Sequence, residues 1–281
     1  VKRVGFVVHG GRASAVSSAG SLIESLRQAG AVTRAMGDTV GADETVTPDS
    51  FPKDLDLVVS VGGDGTFLRA AHLASVAGCP VLGVKEGRVG FLTEVESPEA
   101  LGLIEAALAG AARIEERVAV LATPSGTEWS EPQWGLNEIM VEKRARHRLV
   151  RLAVSIDGAY VTTFSGDGVI VAAPTGSTAY SFSARGPIVA PSLRCLVITP
   201  VAAHMVFDRS FVLAPSERVT LEVKGEEPGV LSADGREQLE LPVGARVTVG
   251  TAETPARLVR RPDAESFYTR VRDKFDLPEE M

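Results

Sequence analysis

The sequence predicts an α/β domain built on a parallel sheet, then a β-rich domain, with a C-terminal tail helix that packs back on the first. Three observations carry this. Residues 1–84 alternate apolar, β-branched runs with segments of helical spacing. From 118 to 260, strand-like runs follow one another without long helices between them. The helical period then returns in the tail, 264–280. The implied boundaries are 1–117 for the α/β domain, with 262–281 returning to it, and 118–261 for the β-rich domain.

Each element has a local reason. "VKRVGFVVH" (1–9) is a buried-type strand, and 14–30 has helical spacing that closes on Gly30, a C-cap residue. Residues 31–37 suit a second strand, and 38–53, with Asp, Thr, Pro and Gly, has no period and is expected to be a loop. "LDLVVSV" (55–61) is a strand, 66–78 a helix, 80–84 a strand and 97–113 a helix. Strand-like runs then fall at 118–123, 136–142, 149–156, 160–164, 168–173 and 195–199, and again at 218–224, 229–233, 237–241, 246–250 and 256–260. Asp157-Gly158 and Asp234-Gly235 are favoured two-residue hairpin turns. In the tail, Phe267, Val271 and Phe275 share one helical face.

Composition narrows the class. With 281 residues, 44% hydrophobic, there is ample material for a core. The net charge of −7 speaks against wholesale binding to a nucleic-acid backbone. Two cysteines, Cys79 and Cys195, have no metal-ligand spacing and read as buried thiols of a reducing compartment. No apolar stretch approaches the ~20 residues of a membrane span, and the first residues lack the apolar core of a signal peptide. These features point to a cytoplasmic protein with neither nucleic acid nor membrane as partner. His9, His72, His147 and His204 are scattered and read as structural or solvated.

Two common nucleotide signatures are missing: no lysine precedes Ser or Thr as a Walker A loop requires, and no G-x-G-x-x-G follows a strand. What the chain has is Gly62-Gly63-Asp64-Gly65-Thr66, between a strand and a helix. Glycines let backbone N–H groups approach a phosphate, and the helix adds its positive end. A carboxylate in such a turn has a purpose if a substrate hydroxyl must meet the phosphate there, which is phosphoryl transfer. The plainer reading is that Asp64 and Thr66 cap the helix.

A second signal is "GDGVIVAAPTGSTAYSFSARGPIVAP" (166–191), where Pro174 ends a strand and Thr175, Ser177, Thr178, Ser181 and Ser183 supply hydroxyls. Such groups suit ribose hydroxyls and base edges, and Tyr180 and Phe182 offer flat surface for a base. A polar loop leading to a helix N-cap is the alternative. The third is "GLNEIMVEK" (135–143), where Asn137 and Glu138 interrupt an apolar run, as a strand-end turn or a ligand-facing pair.

Together, in this order and spacing, the three stretches resemble the NAD kinases, from "GFVVH" through "GRVGFLTEVE" (87–96) to "FYTRVRDKF" (267–275). The resemblance implies transfer of the ATP γ-phosphate to the 2′-hydroxyl of the adenosine ribose of NAD, with Mg²⁺ or another divalent metal. It implies that Asp64 accepts the hydroxyl proton beside Gly65, and that Gly62, Gly63, Gly65 and Thr66 form the phosphate-donor loop. Asn137 and Glu138 would hold the adenosine half, and Asp167 a polar edge of the dinucleotide. Thr178, Ala179, Tyr180, Ser181, Phe182 and Ser183 would line its pocket, with Arg69 and Arg148 as candidates for a phosphate or for NAD, and Arg236 of the same kind. No metal ligand is assigned to the protein. The resemblance also implies a homodimer or homotetramer, and leaves open ATP or polyphosphate as donor and NAD or NADH as acceptor.

Gly-Gly-Asp-Gly alone also occurs in phosphofructokinases and in diacylglycerol- and sphingosine-type lipid kinases. A lipid kinase needs an apolar channel, a sugar kinase basic residues for a sugar phosphate, and a non-catalytic nucleotide sensor has no use for Asp64. Two departures place charge near the expected nucleotide. Lys85 and Glu86 stand where the family usually reads G-x-N-x-G, and Arg185-Gly186-Pro187 stands for its Gly-Gly-Pro.

Overall fold

The computed structural model describes residues 1–37, 40–86, 90–204 and 207–278, and for 237 and 238 the backbone alone. Parts of the expected loop 38–53, of the stretch 87–96 and of the tail, at 279–280, lie outside the described residues. The chain divides into two compact units, Val1–Glu116 with Ala256–Met281, and Arg117–Pro255.

The first unit is built on an eight-stranded sheet. Its strands are β1 (Arg3–Val8), β2 (Val32–Met36), β3 (Glu44–Val46), β4 (Leu57–Gly62), β5 (Val81–Lys85), β6 (Val95–Glu96), β7 (Arg113–Arg117) and, from the far end of the chain, β20 (Ala256–Arg260). The order is β3-β2-β1-β4-β5-β20-β7, with β6 also on β5, and the pairings from β3 through β20 are parallel. Alternate residues of β1 and β5 go to opposite faces. Phe6 and Leu82 join the core under α1 (Ala13–Gln28) and α3 (Ser97–Leu108). On the other face, α2 (Asp64–Ala77) lays Phe67 directly on Gly83, where a Cβ would not fit. The chain leaves β1 toward β2 on one side and reaches β4 on the other, so the topological switch point lies between β1 and β4.

Several expectations from sequence are revised. The loop 38–53 contains β3, paired to β2, because Thr33 and Arg34 hold Asp43 and Glu44 alongside. The helix expected over 97–113 stops at Leu108, Gly110 takes a left-handed φ of 73°, and Arg113 starts a strand. The run 256–260, expected in the β-rich domain, is instead a strand of the parallel sheet, where Leu258 pairs with Val81. The tail is helical over α5 (Phe267–Lys274), capped by the Ser266 hydroxyl accepting the Thr269 N–H. It packs on the first unit, with the Phe91 ring 6.4 Å from Phe267 and 6.0 Å from Phe275.

The second unit has two six-stranded sheets whose inner faces share one core. One contains β8 (Val120–Ser125), β9 (Gln133–Gly135), β11 (Val150–Ile156), β12 (Ala159–Gly166), β16 (Val219–Lys224) and β19 (Arg246–Thr251). The other contains β10 (Glu138–Lys143), β13 (Gly168–Ala172), β14 (Leu196–Val201), β15 (Phe211–Leu213), β17 (Gly229–Ala233) and β18 (Arg236–Leu241). Both predicted hairpin turns form, with φ of 48° and 81° at Asp157-Gly158 and 50° and 68° at Asp234-Gly235. Asp167 is the single residue between β12 in one sheet and β13 in the other. Gly166 and Gly168 flank it because Cβ atoms there would meet the Val201 and Val141 carbonyls. The outer face of β10, β13 and β14 is covered by the segment after Pro174, with Met140, Ile170 and Val197 packed against Val189 and Cys195.

Candidate functional site

In the first unit the glycine turn is the end of β4 and the start of α2. Gly62 is the last strand residue, and without a Cβ it admits Thr66 and His9 close to the backbone. Gly63 is the N-cap, and no side chain caps the helix. The capping alternative for Asp64 therefore fails. Its carboxylate turns away and accepts the Phe91 N–H on Oδ2 at 2.9 Å and the Leu92 N–H on Oδ1 at 3.2 Å. Gly90 makes room, since a Cβ there would overlap both carboxylate oxygens.

A cleft of about 560 Å³ opens between the C-terminal ends of β1 and β4, the switch point of the sheet. His9, Gly10, Gly11 and Arg12 line one side, and Gly63, Gly65, Thr66 and Arg69 the other. The first turn of α2 leaves backbone N–H groups without partners in the helix, and its dipole favours an anion there. Arg12 reaches the Glu86 carbonyl, and Arg69 Nη2 lies 3.7 Å from Met36 Sδ. Sequence reasoning passed over the loop 9–12; its Gly-Gly directly after a strand was the available signal.

In the second unit, Asn137, Glu138 and the hydroxyl-rich loop come together. A Cβ on Gly176 would overlap the Asn137 carbonyl, which also accepts the Ala173 N–H at 2.8 Å. The organiser is Asp234, which sequence reasoning took only as a turn residue. Its carboxylate accepts the N–H groups of Leu136, Asn137 and Glu138 at 2.8, 2.8 and 3.1 Å. Asn137 and Glu138 are 8% and 9% exposed. Glu138 Oε2 has no hydrogen-bond partner among the described residues. Burial, and then the Asp234 charge, push the Glu138 carboxyl up to about 8, so near neutral pH it carries a proton and can donate.

The loop itself divides in two. The hydroxyls of Ser177 and Ser181 are fully buried and used internally, on Val189 and on Thr199. Thr178 Oγ1 reaches the Thr175 carbonyl at 3.4 Å. Tyr180 and Phe182, on the short helix α4 (Tyr180–Ser183), are 43% and 38% exposed, and Ser183 is exposed beside them. Burial, then the Glu142 and Asp167 charges, raise the Tyr180 phenol. Asp167 is held by Lys143 at 2.5 Å. Arg148 is apart from this group, with Nε 3.4 Å from Glu227, and Arg236 reaches the Trp134 carbonyl.

The departures in sequence find local partners. Lys85 pairs with Glu96 at 3.0 Å, and Glu86 accepts the Ser18 hydroxyl at 2.6 Å. Arg185, just past the Ala184 C-cap of α4, has φ 65°, a left-handed conformation that glycine adopts more readily. Among the described residues no three His, Cys, Asp or Glu side chains gather into a metal site. Mg²⁺ needs no such cage, because it keeps waters and uses one or two carboxylates with substrate phosphates. Asp64, each of whose oxygens accepts one N–H among the described residues, fits that lesser role.

Residues 12–112 match the family model of the ATP-NAD kinase N-terminal domain, and 136–261 that of the ATP-NAD kinase C-terminal domain. The chain is 39% identical to NAD kinase 2 of Streptomyces avermitilis, over 99% of this chain and 95% of that protein. It is 38% identical to the NAD kinase of Thermobifida fusca, over 97% and 88%. Its fold is similar to a yeast NADH kinase solved with NADH, with a TM-score of 0.90, 21% identity and coverage of 100% and 89%. It is also similar to an Archaeoglobus fulgidus NAD kinase solved with ATP, with a TM-score of 0.73, 24% identity and coverage of 98% and 97%. With both family domains matched and close relatives aligned over nearly their whole length, the chain belongs to the NAD kinase family.

Proposed function

We propose that this NAD kinase transfers the γ-phosphoryl group of ATP to the 2′-hydroxyl of the adenosine ribose of NAD, giving NADP. The observation that carries the reading is Asp64, a carboxylate at the first residue of α2 that caps nothing and sits between Gly63 and Gly65, which line the cleft. Its remaining lone pairs accept the hydroxyl hydrogen. A carboxylate is too weak a base to deprotonate an alcohol outright, so it orients the hydroxyl and takes the proton late, as a loose transition state allows. The cleft between β1 and β4 receives the donor phosphates. Gly62, Gly63, Gly65 and Thr66 let them reach the helix N-terminus, and Arg69 supplies charge on its rim. Mg²⁺, bound with ATP, would offset phosphate charge, with Asp64 as the carboxylate placed to help hold it.

In the second unit Asn137 and the protonated Glu138 hold the adenosine half of NAD. Asp167 takes a polar edge, and Thr178, Ala179, Tyr180, Phe182 and Ser183 line the pocket, with Ser181 acting from within. Arg148, exposed on its turn, is the weakest member of the set. Buried free thiols at Cys79 and Cys195 suit a cytoplasmic protein. The edge strands β12 and β15, with Tyr160 and Val212 exposed, suit assembly into a homodimer or homotetramer. Sedimentation at micromolar protein tests that assembly; a monomer refutes it.

Incubation with NAD and Mg-ATP is expected to yield NADP, and absence of NADP with any divalent metal would overturn the proposal. Asp64→Asn is expected to lower turnover by about a thousandfold or more while NAD still binds. Turnover like the native enzyme's would remove Asp64 from its role.

A further inference from the structure

The tail helix is joined to Asp64 through one short stretch of backbone. Phe91 donates its N–H to Asp64 Oδ2, and its own carbonyl accepts Arg270 Nη1 at 3.3 Å. The same guanidinium nitrogen reaches the Thr93 carbonyl at 3.3 Å, and Nη2 reaches Glu94 Oε2 at 3.0 Å. The Phe91 ring lies against Phe267 and Phe275, at the two ends of α5. Glu94 is itself fixed, by Arg260 at 2.6 Å and by the Arg261 N–H at 3.0 Å. The segment Gly90–Glu94 is thus gripped from α5 on one side and presents two donors to Asp64 on the other.

We propose that Arg270, with Phe267 and Phe275, is a positioning residue that fixes the Asp64 carboxylate for reaction through the backbone of Phe91 and Leu92. This rests on the reading of Asp64 as the group that accepts the substrate hydroxyl. One guanidinium fork bonds two carbonyls and a carboxylate together, which a flexible ammonium cannot reproduce. Without the fork the segment retains Glu94 and the Leu92 carbonyl through Arg260, and the Glu94 N–H on Gly83, but the Phe91 carbonyl loses its donor and the two N–H groups that flank it lose their aim. A misplacement of about 1 Å in a reacting group is enough to slow a positioned reaction about a hundredfold.

Steady-state kinetics with NAD and Mg-ATP test this on the full chain, with thermal melting to confirm folding. Arg270→Gln is expected to lower kcat about tenfold or more while leaving KM for NAD and ATP within about twofold. Arg270→Lys should fall between that variant and the native enzyme, and Phe275→Leu should retain more activity than Phe275→Ala. On an Asp64→Asn background, Arg270→Gln should change the residual rate less than about twofold, because the group it acts through is gone. Native kcat in Arg270→Gln, or an undiminished effect on the Asp64→Asn background, overturns the positioning role. Should Arg270→Gln not fold, Arg270→Lys and Phe275→Leu carry the same comparison, and native kcat in both overturns it. Full activity of Asp64→Asn itself would instead overturn the reading on which the role rests.

Discussion

The Asn137 backbone N–H donates to Asp234 Oδ1 at 2.8 Å, tying the β17–β18 turn to residues 97 positions earlier in the chain. The same carboxylate holds Leu136 and Glu138, so one side chain organises the start of β10. Asp234→Ala leaves three donors without their acceptor. It is expected to destabilise the fold by about 2–3 kcal/mol and to raise KM for NAD. Urea unfolding and initial-rate kinetics check both; an unchanged midpoint contradicts the assignment.

Glu138 makes stability depend on pH. Its folded carboxyl is pushed up to about 8 by burial and then by Asp234, whereas the unfolded group titrates near 4.5. The folded state therefore binds a proton that the unfolded state releases between these values. The stability so gained is fully present below about 4.5 and is lost as pH rises through about 8. The slope is at most about 1.4 kcal/mol per pH unit. Glu138→Gln, a neutral isostere of the protonated acid, should flatten this dependence when urea midpoints are measured from pH 5 to 9. It should also bind NAD at pH 6 within a few-fold of native, as titration calorimetry would read.

Gly90→Ala puts a methyl group where the Asp64 carboxylate sits. The carboxylate must leave the Phe91 and Leu92 donors, so kcat is expected to fall about a hundredfold or more, with a much smaller change in melting temperature. A native kcat would show that the carboxylate works equally well elsewhere.

Arg185→Gly replaces a residue held at φ 65° by the one best suited to it. The strain relieved is about 1 kcal/mol, which should raise the melting temperature by about 2 °C. A fall would mean that the arginine side chain contributes more than its backbone costs.

Elements defined by local periodicity were legible in the sequence: β1, β4, α1, α2 and most strands of the second unit carry their apolar pattern within a few residues. The glycine turn was equally plain. Interactions set by distant chain were not. A carboxylate at the first residue of a helix reads as a cap, and only a segment 27 residues later reveals its actual donors. Asp234 advertised a turn and nothing of the N–H groups it collects. Ser177 and Ser181 looked like their neighbours in a hydroxyl-rich loop, but burial decides which hydroxyls are spent inside the protein. Strand 256–260 has the same apolar pattern as the strands before it, so nothing local told which sheet it joins.

That last strand gives the molecule an order of construction. β20 lies between β5 and β7, so β7 has no neighbour in the first sheet until residues 256–260 exist. On a ribosome the first sheet must wait, with β5 covered by β6 at Val84 and Lys85 but open at Val81, while the whole of 117–255 is made. The first unit closes only after the second has been made, and Asp64 gains the support of α5 later still, once Phe267–Lys274 follow β20.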